Sequence, residues 1–185
     1  FNDLDVEGVT ISPGYAYERA ADQDHFLGRQ KTRQLFRDIF RLGQIRGRGR
    51  DWKFSQSSLF LDFLAGNQSY ACTPWGNPTR NVFGWQRPCY LINEGYAETF
   101  AELMNETEWD DFGTGNYEKC ADCMVHCGYE PTAVIDTVAH PLKALRVALK
   151  GPRTEGPMAA EIPLDDRRSR SAEAESASGV KSDAA

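Results

Sequence analysis

Cys72-Thr73-Pro74-Trp75-Gly76 at one end and Lys119-Cys120-Ala121-Asp122-Cys123-Met124-Val125-His126-Cys127-Gly128-Tyr129 at the other bracket the stretch on which this chain turns. All five cysteines of the sequence lie inside it, at Cys72, Cys89, Cys120, Cys123 and Cys127. The last three form C-x2-C-x3-C, a spacing that brings two or three thiolates to one ion or cluster. The first two stand as C-x11-G-x4-C around Gly84. Residues 79–87 read as a tight hairpin, with Gly84 supplying the positive φ of its turn and the ends drawing Cys72 and Cys89 together. Thiolates are soft ligands that select zinc or iron–sulfur. Four of them satisfy a structural zinc or a 4Fe-4S cluster equally well, so the residues alone leave both metals open.

Other uses of cysteine fit less well. Disulfides belong to oxidising compartments, and here the count is odd and no secretory signal is seen. A thioredoxin-like pair opens a helix after a strand, whereas Gly113-Thr114-Gly115-Asn116 precedes Cys120. Unrelated buried thiols do not explain the clustering. His126 lies between two candidate ligands, but the thiolates suffice without it.

Working outward, the flanks read as a mixed chain. Gly8, then Val9-Thr10-Ile11, then Pro13-Gly14 mark a short buried strand ending at a turn, expected to lack a partner sheet in these residues. Asp22 or Asp24 is expected to cap a helix running to Leu42, with Leu35, Phe36, Ile39 and Phe40 on its apolar face. Arg29, Arg33, Arg37 and Arg41 recur every four residues, which reads as a solvated face or an anionic-surface contact. Residues 29–53 hold nine Lys or Arg against Asp38 and Asp51. Trp52-Lys53-Phe54 alternates like a second strand. Ser57 or Ser58 caps a buried helix from Leu59 to Ala65, closed by Gly66. Thr99 to Met104 is a short helix. Pro131 or Thr132 starts another, and Pro141 opens the next, whose apolar side is Leu142, Leu145, Val147 and Leu149. The tail from about Asp165 has too little apolar surface to order itself.

Composition excludes some classes. The 185 residues carry a net charge of −6, against a dedicated nucleic-acid binder. No apolar run is long enough to span a membrane as a helix. GxGxxG, the P-loop, HExxH and GxSxG are absent.

Several of these segments together resemble one family. Val6 to Tyr15 is similar to a late barrel strand. With C-x11-G-x4-C and a second cysteine group, it resembles the C-terminal half of a radical S-adenosylmethionine enzyme with a SPASM or twitch extension. Ser12 to Ala20, Leu59 to Asn67, Cys72 to Asn81, Phe83 to Leu91 and Gly113 to Tyr129 resemble, more narrowly, the hopanoid-biosynthesis radical S-adenosylmethionine family, the adenosylhopane synthases. The resemblance covers residues 1–164.

It implies an α/β fold: the terminal strand or strands of a partial (β/α) barrel in residues 1–56, a small α+β cysteine-rich extension in 57–150, and an extended to disordered tail in 151–185. The implied activity of the whole enzyme is addition of a 5′-deoxyadenosyl radical to diploptene, giving adenosylhopane. It implies S-adenosylmethionine and a catalytic 4Fe-4S cluster there, and an auxiliary 4Fe-4S cluster on Cys72, Cys89, Cys120, Cys123 and Cys127 here, with zinc as the alternative for a structural interaction module. It further implies a flavodoxin- or ferredoxin-type electron donor, a cytoplasmic location and peripheral attachment to the membrane that dissolves diploptene. Because barrel active sites lie at the C-terminal ends of strands, Ser12, Pro13, Gly14, Tyr15 and Tyr17 are the substrate-adjacent candidates. The family's C-x3-C-x2-C loop is absent from this sequence, so these residues alone are expected to be inactive. Five thiolates also fall short of the set needed for two auxiliary clusters.

Overall fold

The structure is a computed structural model that describes residues 4, 6–17, 20–43 and 53–165. Its centre is α2 (Ser58–Leu64), packed between α1 (Arg29–Gly43), α4 (His126–Ala139) and α5 (Pro141–Lys150). The sequence leaves α2 almost no polar face, and the structure buries Leu59, Phe60, Leu61, Phe63 and Leu64. Ser57 caps it, its Oγ accepting the Phe60 amide at 3.3 Å. Gly66 follows at φ +74°, pressed against Arg33 so closely that a β-carbon would lie 2.9 Å from Cδ. Asp62, buried on the same helix, is held by Asn67 Nδ2 at 2.7 Å and Gln68 Nε2 at 2.6 Å.

A second layer is an antiparallel sheet of β1 (Arg80–Asn81), β2 (Gly84–Arg87) and β3 (Gly95–Ala97), in that order. Asn81 pairs with Gly84 and Trp85 with Ala97. The hairpin turn is therefore Val82-Phe83, not Gly84. Gly84 is required for another reason: a β-carbon there would meet the Ala97 carbonyl of β3 at 2.7 Å. The third strand was not expected. α3 (Phe100–Glu106) packs on β2 and β3, capped by Thr99, and buries Leu103.

Val9 does find a partner. It forms a parallel bridge with Phe54, through Val9 N to Lys53 O at 2.8 Å and Ser55 N to Val9 O at 3.0 Å. The two short extended segments foreseen in the sequence thus pair with each other across α1. The described part of the chain is a small mixed α/β fold.

Three helices depart from the pattern reading. First, α1 begins at Arg29, and neither Asp22 nor Asp24 caps it. Asp122 does, its Oδ1 accepting the Arg29 amide at 2.9 Å from 93 residues away. Its inward face carries Arg29, Thr32, Arg33, Phe36, Arg37 and Phe40, while Leu35 is exposed. Arg29, Arg33 and Arg37 are neither solvated nor free to meet an anionic surface, whereas Arg41 is exposed and paired with Asp38 at 2.8 Å. Residues 151–165 run as an extended strap along α1 and supply acceptors: Arg33 reaches Ala159 O at 3.1 Å and Glu161 at 2.7 Å, and Arg37 reaches Gly156 O at 2.7 Å, while the end of α2 gives Arg37 two more, Ala65 O at 2.8 Å and Asn67 at 3.0 Å. Burial is tolerated because each charge gains such partners. The strap is itself pinned by Ala159 N to Gly66 O and Asp165 N to Gly115 O. The basic loop at Arg46, Arg48 and Arg50 and the tail from residue 166 lie outside the described residues.

Second, α4 starts at His126, five residues before Pro131, which sits inside it and costs it one backbone donor. Ser12 Oγ accepts the His126 amide at 3.4 Å, an initiation signal too distant in sequence to be foreseen. Third, α5 turns Ala144 and Val147 to the core, so that of its expected apolar side Val147 packs inward while Leu142, Leu145 and Leu149 are exposed. No described helix is long and apolar enough to cross a membrane.

Candidate functional site

All five cysteines line one chamber between the helical layer and the sheet, together with Tyr15, Pro74, Leu91, Ile92, Gly113, Gly128 and Tyr129. They arrive on three segments. Cys72 lies just after the core residue Tyr70 and is followed by the 3-10 turn Pro74–Gly76. Cys89 follows β2 and opens the turn closed by Asn93 N to Cys89 O at 2.9 Å. Cys120 ends the 3-10 turn Glu118–Cys120, Cys123 stands one turn on, and Cys127 is in the first turn of α4.

Cys72 is fitted into place. Thr73 donates its amide to Gly128 O at 2.7 Å and its hydroxyl to the same carbonyl at 3.1 Å. The Cys72 sulfur then lies where a β-carbon of Gly128 would be, and a β-carbon on Gly113 would press on Cys72 Cβ at 3.3 Å. Two glycines thus make the cradle for one thiol. Gly113, at φ +101°, also needs the left-handed region that glycine reaches without strain.

Other sulfurs have donors aimed at them. The amides of Ile92 and Leu91 bond the Cys89 sulfur, the Val125 amide bonds that of Cys123, and the Tyr90 hydroxyl with the Gly128 amide bonds that of Cys127. The first turn of a helix adds its partial positive charge at Cys127. Yet every one of these four thiols titrates high. Burial pushes Cys123 up to about 12 despite the Val125 amide, and repulsion from Cys127, Cys120 and Cys89 adds to it. Burial and the Cys89 thiolate push Cys127 up to about 11. Cys72 is raised well above the ordinary thiol value by burial and then by all four other thiolates, and Cys89 is raised by burial. These four thiols are therefore neutral at ordinary pH, and a bound cationic group would be what holds them as thiolates.

The donor set is of the thiolate kind that both an iron–sulfur cluster and a structural zinc take. Among the described residues, no three of His, Cys, Asp and Glu stand close enough to hold one metal ion. A mononuclear zinc site needs four ligands within bonding distance of one centre. A cluster gives each iron its own thiolate, so its sulfurs stand further apart.

The N-terminal segment forms part of that wall. Tyr15 lines the chamber and donates its hydroxyl to Lys119 O at 3.1 Å. Burial, and then the thiolates of Cys120, Cys123 and Cys89, raise its pKa. Tyr17 packs edge-on against Tyr15, with centroids 5.3 Å apart, and is partly exposed. Ser12 sits against His126, its Oγ 3.2 Å from Nδ1, which occupies that histidine outside the chamber wall. Gly14 lies against the Phe26 ring beside a second, more open cavity that shares Tyr15 and Cys123 with the thiol chamber. Pro13 is half-buried between them in sequence and lines neither cavity.

Sequence reading missed the residues that support the thiols. Arg29, almost fully buried, donates from Nη1 to Cys123 O at 2.5 Å and to Thr114 Oγ1 at 3.3 Å, with its guanidinium 5.5 Å from the Phe63 and Tyr129 ring centres. Thr114 bonds the Tyr129 hydroxyl and Cys120 O. Asp122, between two cysteines of the motif, is the cap of α1.

Comparison with known proteins places the chain in a family. Residues 9–147 match the family described as domain of unknown function (DUF3463), and the chain belongs to that family. No curated protein and no solved structure matches it.

Proposed function

We propose that this chain is the C-terminal part of a radical S-adenosylmethionine enzyme of hopanoid biosynthesis, its five thiols holding one auxiliary 4Fe-4S cluster. The observation that carries the cluster reading is the convergence of Cys72, Cys89, Cys120, Cys123 and Cys127 on one chamber. Four thiolates complete such a cluster, and the fifth cysteine stands beside it. The bound cluster would supply cationic charge that holds the thiolates, and a centre able to pass an electron. The protein's share is the rest: Gly128 and Gly113 admit Cys72, backbone amides and Tyr90 bond the sulfurs, and Arg29 braces the Cys123 carbonyl.

The wider assignment rests on the sequence resemblance. It is that the whole enzyme uses S-adenosylmethionine, a catalytic 4Fe-4S cluster and a flavodoxin- or ferredoxin-type donor in the cytoplasm to adenosylate diploptene. Residues 1–56 are then the end of its partial barrel and 57–150 its extension. Tyr15 on the chamber wall supports a path between the strand end and the cluster, with Ser12, Pro13, Gly14 and Tyr17 around it.

Anaerobic reconstitution with iron, sulfide and reductant tests this. The chain alone should give the paramagnetic signal of a reduced cluster and no 5′-deoxyadenosine. Joined in frame to the C-x3-C-x2-C barrel of a hopanoid radical S-adenosylmethionine enzyme, it should restore adenosylhopane formation. Release of 5′-deoxyadenosine by the chain alone would overturn the auxiliary role, and a loaded but inactive chimera would count against the hopanoid assignment.

A further inference from the structure

The face of α5 that points away from the core is apolar where it should be polar. Ala144 is its buried residue, and at 100° per residue Leu142, Leu145 and Leu149 fall on the opposite side. They are 80%, 53% and 76% exposed. Three more exposed aliphatics, Val134, Ile135 and Val138, precede the corner at His140. The cations lie on one flank of the leucines: Lys143, Arg146 and Lys150, followed by Arg153. Residues 139–154 contain no Asp or Glu, in a chain whose net charge is −6. Of the acids flanking this stretch, Asp136 is largely buried and taken up by Lys143 at 2.6 Å and Tyr70 at 2.6 Å, and Glu155 is exposed beyond the end of α5.

A helix with leucines on one side, cations beside them and its third side packed on a protein core is built to lie in a lipid–water interface. We infer that α5, with the end of α4, is a docking surface for an anionic bilayer: Leu142, Leu145 and Leu149 enter the acyl boundary while Arg146 and Lys150 meet phosphate headgroups. Charge decides the occupant. A second copy docked on this same face would set Arg146 and Lys150 against the same cations of its partner, whereas an anionic leaflet neutralises them. The inference stands on this face alone and does not require the cluster. It also moves membrane contact away from Arg29, Arg33 and Arg37, which are consumed inside the fold.

The test is co-sedimentation of the full chain with phosphatidylcholine vesicles, with and without phosphatidylglycerol, at low and high salt, alongside sedimentation velocity without lipid. The unmodified chain should bind the anionic vesicles, and salt should weaken that binding. Leu142→Gln with Leu149→Gln should lower the partition coefficient about tenfold or more, since two interfacial leucines are lost. Arg146→Gln with Lys150→Gln should remove the preference for phosphatidylglycerol. Circular dichroism confirms that the variants are folded. Phe83→Ser, at the exposed hairpin tip, should change nothing. Absence of vesicle binding, binding that both double variants retain, or loss through Phe83→Ser would each overturn the inference. So would a dimer that the leucine variant disrupts in a chain that ignores lipid.

Discussion

Replacing Gly128 with alanine sets two effects of opposite sign against each other. Gly128 lies in the first turns of α4, where alanine is the better helix former by about 1 kcal/mol. The new methyl, however, would occupy the position of the Cys72 sulfur. That sulfur cannot simply retreat, because Thr73 is tied to the Gly128 carbonyl at 2.7 Å and Gly113 closes the other side. Forcing a methyl into such a wall costs about 1–3 kcal/mol. The collision therefore outweighs the propensity, and the net loss should be about 1 kcal/mol, read by urea unfolding of the metal-free protein under reductant. Loaded protein should show a larger change: with Cys72 displaced, iron retained against a chelator should fall by about tenfold or more. A Gly128→Ala protein as stable as the parent and holding its full iron would refute the placement of Cys72 over Gly128.

Arg37→Ala removes three hydrogen bonds that join α1 to Ala65, Asn67 and the strap, and should cost about 2–4 kcal/mol by urea unfolding, with faster proteolysis beyond residue 150. Asp122→Ala should cost about 1 kcal/mol by loss of the α1 cap, and Asp122→Asn should restore most of it. Burial raises the Asp136 carboxyl, but hydrogen bonds from Lys143, Tyr70 and His140 prevail and hold it at about 2. Since the folded value lies below the ordinary carboxylate value near 4, its contribution is complete above about pH 4 and disappears as pH falls toward 2. Asp136→Asn should cost about 1–2 kcal/mol at neutral pH and flatten the stability–pH curve over that acid interval.

What the sequence discloses depends on how far apart the cooperating residues lie. α2 was fully legible because its cap, apolar run and closing glycine are contiguous. The hairpin register was close, but its turn was misplaced: Gly84 suits a turn locally and is needed instead for a close approach to β3. The starts of α1 and α4 were missed because Asp122 and Ser12 supply their caps from 93 and 114 residues away. The arginine stripe was misread for the same reason. Periodicity gives a face, and only the fold shows that the strap at 153–161 covers it. At the site, the thiols were legible as a group, since cysteines cluster visibly. Their supports, Arg29, Thr114, Tyr90 and Gly113, carry no signal until the chain brings them together.

The central claim is that the five-thiol chamber holds an iron–sulfur cluster, and iron, zinc and acid-labile sulfide per chain after anaerobic purification measure it most directly. The account predicts about four iron and about four sulfide per chain, no stoichiometric zinc, and loss of most of the iron in Cys72→Ala and Cys89→Ala. One zinc per chain without sulfide, or neither metal with all five thiols freely titratable in a folded protein, would contradict it.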